Sequence, residues 1–435
     1  MNGQELYKNG KKLIPGGTQL LSKRPEMFLP DLWPAYYAKA KGVKVTDLTG
    51  TEYTDMSIMG VGACILGYAD PDIDRAAITA LKNGVQCTLN APEEVELAEV
   101  LCKLHPWAHM VRYARSGGEA MAVAIRIARA HTGKDIVAFC GYHGWYDWYL
   151  AANINEDNAL DGHLMPGLEP AGVPRGLLGS ALPFHYNHIE ELEEIVAKHN
   201  GRIAAIAMEP RRDQPPEPGF LEKVKKIAKE QDAVLIFDEI TTGFRMCPGG
   251  IHRTLGIHPD IAVFAKAMSN GYAMAAVIGT TEVMESAQST FISSTNWTER
   301  IGPAAALATI EKYRENHVDD YIKSIGNAIM EGWQKAADEA ELPLHVSGLP
   351  TLNHFSIEDD EKLQMSTLFT QILLGKKYLA YTQFKPSFAH TRKHVDAYLS
   401  ATRDAFSQIA NAKKKGTVSN LLKGPAQKTG FYRLT

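Results

Sequence analysis

Three short apolar runs in this chain each end in an ionisable residue: Glu209 follows AAIAM, Asp238 follows VLIF and Lys266 follows IAVFA. One charged residue at the end of an apolar run is ordinarily a solvated loop residue. Three in succession, one of them a lysine set among apolar neighbours, form a pattern that can do chemistry. A partly desolvated lysine is held as the free amine and condenses with an aldehyde to a Schiff base. An aspartate facing the nitrogen of a heteroaromatic ring keeps that nitrogen protonated, and the ring then accepts negative charge from an adjacent carbon.

Two further segments supply what such a ring system needs. Ser116-Gly117-Gly118-Glu119 precedes the helical run Ala120–Ala130. Glycines that open a helix leave backbone N–H groups at the positive end of its dipole, a cradle for a phosphate. Tyr142-His143-Gly144 follows the apolar run Ile136–Phe139, and a tyrosine there can stack on a flat ring. His143 is read as a residue that could simply shape the loop. An aldehyde for Lys266, a ring nitrogen for Asp238 and a phosphate for Ser116–Gly118 together describe pyridoxal 5′-phosphate (PLP).

The elements that position these residues follow from the pattern of the chain. Ile136–Phe139, Ile203–Met208, Val234–Phe237, Ile261–Phe264 and Ala275–Gly279 are short, apolar and bounded by turns or charge. Between two of them, Gly219–Gln231 places Leu221, Val224, Ile227 and Ala228 at helical spacing. Strand and helix in alternation predict an α/β fold with a mostly parallel sheet covered on both faces, its ligand site beyond the carboxyl ends of the strands. Residues 1–60 read as a helix, a Pro15-Gly16-Gly17 turn, and strands Lys44–Asp47 and Glu52–Asp55. Three divisions are expected: an N-terminal segment (1–60) that joins the small domain, a large cofactor-binding domain (61–303), and a smaller α+β domain (304–435) with a final helix from about His394 to Asn411.

The chain has 435 residues, of which 45% are hydrophobic and 22% charged, with a net charge of -4. That charge argues against a general binder of nucleic acid or of bilayers. The five cysteines are scattered without metal or disulfide spacing, and the opening MNGQELYKNGKK holds no apolar signal core. A cytoplasmic location is expected.

Taken in order, LIPGG at 13–17, SGGEA at 116–120, YHG at 142–144, EPGFL at 217–221, IFDEITTGFR at 236–245, AKAMSNG at 265–271 and AHT at 389–391 resemble the class III aminotransferases of the fold-type I PLP enzymes. Within that family the motifs are similar to the glutamate-1-semialdehyde 2,1-aminomutase branch. The resemblance implies a seven-stranded-type sheet in the large domain and a homodimer with shared active sites. It implies Lys266 as the Schiff-base lysine and Asp238 as the pyridine-nitrogen partner. Ser116, Gly117 and Gly118 match the phosphate loop, Tyr142 the stacking aromatic and Ile240 the aliphatic residue on the ring's other face. Glu209 and Gln214 fall near the ring hydroxyl, and Thr298 matches the threonine that reaches the neighbouring subunit's phosphate.

The departures concern specificity. Gly118 stands where the family usually has Thr or Ser. Lys23, with Arg24 beside it, stands where the aminomutase branch has an arginine for the substrate carboxylate, and Thr382 falls where the branch has an acidic residue. Arg211-Arg212 is without a counterpart and reads as an anion-recruiting or a surface pair. Trp145, Tyr146, Trp148 and Trp297 make a more aromatic neighbourhood than a small semialdehyde requires, and a sugar could stack there. TNWTERIGPAAALAT and the ending FYRLT resemble family members of polysaccharide or secondary-metabolite pathways. Three readings follow: an aminotransferase acting on an amino donor and a keto or aldehyde acceptor, an intramolecular aminomutase, and a PLP-binding protein without turnover.

Overall fold

The computed structural model describes residues 2–155, 158–163, 166–211 and 213–430. Arg212 and the closing FYRLT lie outside the described residues. The chain divides into two compact units, Pro71–Asp319 and the combination of Met1–Asp70 with Asp320–Thr435.

Seven strands build the sheet of the first unit: β1 (Met110–Ala114), β2 (Ile136–Cys140), β3 (Ala181–Pro183), β4 (Ile203–Met208), β5 (Val234–Asp238), β6 (Ile261–Phe264) and β7 (Ala275–Gly279). Their spatial order is β1-β7-β6-β5-β4-β2-β3. The ladder from β3 through β2, β4 and β5 to β6 is parallel, and β7 runs antiparallel to both β6 and β1. A parallel neighbour needs a long crossover, and the link between Phe264 and Ala275 is too short to hold one. The expected mostly parallel α/β sheet is what the chain forms. Two of its strands carry no apolar run of their own: β1 is half-buried and holds Arg112, and β3 is a three-residue edge strand ending in Pro183.

Alternation along the central strands decides which helix covers which face. Ala205 and Ala207 of β4 turn toward helix Gly117–Thr132, whose Ala120, Met121, Ala124, Ile127 and Ala128 are buried on them. Ile206 and Met208 turn the other way, onto Leu221, Val224 and Ala228 of helix Phe220–Glu230. Small side chains on the first face let helix Gly117–Thr132 approach the sheet closely.

In the second unit, Tyr37–Lys41, Lys44–Asp47, Glu52–Asp55 and Tyr378–Leu379 form one sheet, and Leu344–Leu349, Leu352–Ile357 and Gln383–Phe384 another. Trp333, Phe355, Phe369, Tyr398 and Phe406 fill its core, with helix Arg392–Lys414 across it.

The boundaries fall at 70/71 and 319/320 rather than at 60/61 and 303/304. Gly42 bridges Tyr68, Tyr68 Oη donates to Asp55 at 2.5 Å, and Phe388 N donates to Ile65 O, so 61–70 stay with the second unit. Helix Ile301–Glu315 buries Ala305, Ala306, Ile310 and Tyr313, and its Lys312 pairs with Asp72 at 2.7 Å, which keeps 304–315 with the sheet.

Candidate active site

Parallel neighbours bring their carboxyl ends to one edge of a sheet. Cys140 pairs with Met208, Met208 with Phe237 and Asp238 with Val263. The segments that follow β2, β4, β5 and β6 therefore start side by side, which places Tyr142, Glu209, Asp238 and Lys266 along one rim.

Asp238 is buried, at 4% exposure. Its Oδ1 accepts from the Ile240 N–H at 3.0 Å, and its Oδ2 faces His143 Nδ1 at 2.8 Å. His143 is buried too, with Nε2 3.1 Å from the Cys140 carbonyl. Both of its ring nitrogens thus face acceptors, and the ring donates to both only when it carries both protons. His143 had looked like a loop-shaping residue; the geometry makes it the support of Asp238. No local motif signals this, because the contact depends on the alignment of β2 with β5 across β4.

Lys266 opens a turn of 3₁₀ helix directly after β6, with φ of 49°, in the left-handed region that costs an L-residue about 1 kcal/mol or more. Its Nζ donates to Thr241 Oγ1 at 2.9 Å. Thr241 lies in the loop that leaves Asp238, so one loop holds the aspartate at its start and the lysine through a hydroxyl. Thr241 is a second residue that the motifs did not single out.

The cradle is built as its glycines require. Ser116 is the N-cap of helix Gly117–Thr132, and no side chain caps that helix end. A Cβ on Gly117 would lie 2.9 Å from Ile240 Cδ1, so the aliphatic residue sits directly on the glycine loop. A Cβ on Gly118 would lie 3.3 Å from Tyr146 Cε2, with Trp145 beyond it. The missing hydroxyl at Gly118 therefore coincides with a tyrosine ring laid over that position. Trp145 stacks on Tyr146 at 4.6 Å and is 68% exposed.

Glu209 is buried after β4, and its Oε2 approaches the Tyr142 N–H at 3.5 Å. Gly141 has φ of 108°, and a Cβ there would lie 2.8 Å from Glu209 Oε2. The Gly141 N–H donates to His163 Nδ1 at 3.2 Å. Burial, then the nearby His185 and His143 rings, push His163 down to about 4, so it remains the neutral acceptor this bond needs. Tyr142 is half-buried, its ring set edge-on to Tyr149 at 5.8 Å.

The remaining residues are less gathered. Gln214 is exposed in the loop after Glu209. Arg211 is half-buried, and its Nε is enclosed with no hydrogen-bond partner among the described residues. Thr298 is exposed, its hydroxyl donating to Thr295 O at 2.9 Å. Lys23 and Arg24 belong to the other unit, where Arg24 lies against Gly16 of the PGG turn.

The residues fit PLP: an amine at a strand end, a buried carboxylate with its own proton-bearing support, and a glycine cradle at an uncapped helix start. Among the described residues no group of His, Cys, Asp and Glu could hold a metal ion, and no helix is long and apolar enough to cross a membrane.

Comparison with known proteins agrees with this geometry. The profile of the class-III aminotransferases matches residues 30–404. The chain is 31% identical over 417 residues to the 3-aminobutyryl-CoA aminotransferase of Cloacimonas acidaminovorans, covering 93% of this chain and 96% of that one. It is 30% identical over 437 residues to the glutamate-1-semialdehyde 2,1-aminomutase of Roseiflexus castenholzii, covering 95% and 99%. Among solved structures, the PLP form of the FumI protein of Sphingopyxis sp. MTA144 superposes with a TM-score of 0.85 at 25% identity, covering 95% of this chain and 97% of that one. An omega-transaminase from Sphaerobacter thermophilus gives 0.82 at 26% identity, covering 94% and 98%. The chain belongs to the class-III aminotransferases, and it is a PLP-dependent enzyme of the fold-type I architecture.

Proposed function

We propose that Lys266 is the lysine that holds PLP and carries the proton in this aminotransferase, with Asp238, backed by His143, facing the ring nitrogen. The observation that carries this reading is a pair of hydrogen bonds at one sheet rim, Lys266 to Thr241 and His143 to Asp238, with Thr241 in the short segment that leaves Asp238 at the end of β5. PLP, when bound, supplies an aldehyde that exchanges with amines and a ring that takes up negative charge from the substrate carbon. Ser116 would receive the phosphate with its hydroxyl, and Gly117 and Gly118 with their N–H groups. Tyr142 and Ile240 would flank the ring, and Glu209 and Gln214 would stand on its hydroxyl side. Lys266 Nζ, as the free amine, would carry the proton between two carbons.

The enzyme works as a cytoplasmic homodimer in which Thr298 serves the partner's phosphate. Its substrates are an amino donor and a carbonyl acceptor, with Lys23, Arg24, Arg211 and Trp145 as the groups that select them. The half-enclosed Arg211 favours an anionic substrate, and the 3-aminobutyryl-CoA aminotransferase among the relatives supports a β-amino carbonyl compound as the first class to test.

An intramolecular aminomutase is the second reading, supported by the aminomutase relatives. Lys23 in place of the branch's arginine weighs against it, because an ammonium cannot form a bidentate fork on a carboxylate. The two separate on one experiment: amino donors are added singly to the PLP-loaded protein, and the cofactor absorbance is followed. Full conversion by a simple amino acid or β-amino acid supports the transaminase; conversion only by an amino aldehyde overturns it in favour of the mutase.

A further inference from the structure

We propose that Arg115 is a positioning residue for Thr298, clamping the segment by which Thr298 reaches the partner's phosphate onto the residues that lead into this chain's own Ser116. The proposal rests on the assignment of Ser116 and Thr298 to the cofactor phosphate. Arg115 immediately precedes the helix N-cap, and its own N–H donates to Glu119 Oε2 at 2.8 Å, which ties it to the first turn of the helix. Its side chain reaches the far segment: Nη2 donates to Trp297 O at 2.8 Å and to Glu299 O at 2.5 Å, the carbonyls on either side of Thr298. Nη1 donates to Ala114 O at 3.2 Å and Met274 Sδ at 3.1 Å, and the Glu299 carboxylate lies 3.7 Å from Nε.

With its fork committed to these acceptors, the guanidinium is not itself a phosphate ligand. The two N–H bonds of Nη2 serve one carbonyl each, while Nη1 anchors the guanidinium plane to Ala114 O and Met274 Sδ, a second hold that the single nitrogen of a lysine would lack. The ends of the segment are held separately, by Gln86 Nε2 on Thr295 O at 2.9 Å and by Arg300 N on Val85 O at 3.1 Å. Arg115 grips the backbone carbonyls on both sides of Thr298. The Thr298 hydroxyl has one proton, now donated to Thr295 O. To serve a phosphate it must redirect that proton, and a clamped backbone reduces the change to rotation of one side chain.

The test is a double-mutant cycle on PLP affinity, read from cofactor absorbance as PLP is returned to stripped enzyme. The set is wild type, Arg115→Gln, Thr298→Val and the double variant, with Ser116→Ala as control. Arg115→Gln and Thr298→Val should each weaken PLP binding about tenfold or more, the scale of a hydrogen bond to a charged group. The double variant should be no weaker than the weaker single, because Arg115 acts through Thr298. Additive losses, or wild-type affinity in Arg115→Gln, would overturn the clamp. Unchanged affinity in both Ser116→Ala and Thr298→Val would overturn the phosphate assignment, and the clamp with it. Should Arg115→Gln fail to fold, Arg115→Met enters the same cycle, since it keeps an unbranched side chain and has no donor for either carbonyl.

Discussion

Lys266 has a left-handed backbone in the turn after β6, and its amine donates to Thr241 in the segment that leaves Asp238. Lys266→Ala should remove turnover altogether while leaving PLP uptake through the phosphate cradle; appreciable activity in that variant would refute the assignment. Asp238 and His143 differ in what they contribute. Asp238→Asn takes away the charge opposite the ring nitrogen, and kcat/KM should fall by on the order of 4–6 kcal/mol. A loss under about tenfold would mean that another residue faces the nitrogen. His143→Phe keeps the charge but removes the donor to Oδ2, so a smaller loss of about 1.5–3 kcal/mol is expected. Steady-state kinetics on the two variants should rank them in that order.

Among the elements, the helix that starts at Gly117 and the loop from Gly141 to Tyr146 are built against each other. Gly144 has φ of 104°, and a Cβ on it would lie 3.1 Å from Gly118 Cα. Tyr146 covers Gly118 from the same side. A threonine at 118 would bring back the hydroxyl usual in the family, yet its β-carbon would already press on the tyrosine ring. Gly118→Thr should therefore bind PLP more weakly than the wild type, and Tyr146→Ala in that background should recover part of the loss. Tighter binding in Gly118→Thr alone would show that the aromatic cover and the missing hydroxyl are unrelated.

Across the whole molecule, two buried histidines, His105 and His390, and the half-buried His163 contribute to the response to acid. Burial holds His105, His163 and His390 down to about 4 from an ordinary 6.5. Each accepts a backbone N–H on one ring nitrogen, from Gly250, Gly141 and Ser387 in turn, and a second ring proton would point at that donor. Between pH 6.5 and about 4 the unfolded chain binds protons at these positions and the folded chain does not, so stability falls as the pH is lowered through that window. The buried Asp55 and half-buried Asp260 carboxyls, raised by desolvation, act in the opposite sense. Melting temperature should drop from neutral pH toward pH 4.5, by the equivalent of roughly a few kcal/mol. His163→Asn keeps an acceptor for Gly141 but cannot titrate, and should make the slope shallower; an unchanged slope would exclude His163 from the effect.

What the sequence determined by itself was local and periodic. Apolar runs of strand length gave five of the seven strands nearly to the residue, because strands buried on both faces must be apolar throughout. The ionisable residue after each of three runs pointed to Glu209, Asp238 and Lys266, because strand ends are where such a sheet turns polar. The edge strands β1 and β3 escaped notice, since an edge position demands little burial. The unit boundaries depended on packing between distant segments, such as Lys312 on Asp72 and Tyr68 on Asp55. Tertiary structure alone decided that His143 supports Asp238, that Thr241 holds Lys266, that Tyr146 overlies Gly118 and that Arg115 grips both sides of Thr298. Each of these contacts joins residues far apart in the chain or fixes the rotation of a loop, and strand register and loop geometry, not spacing along the chain, bring such groups within hydrogen-bonding distance.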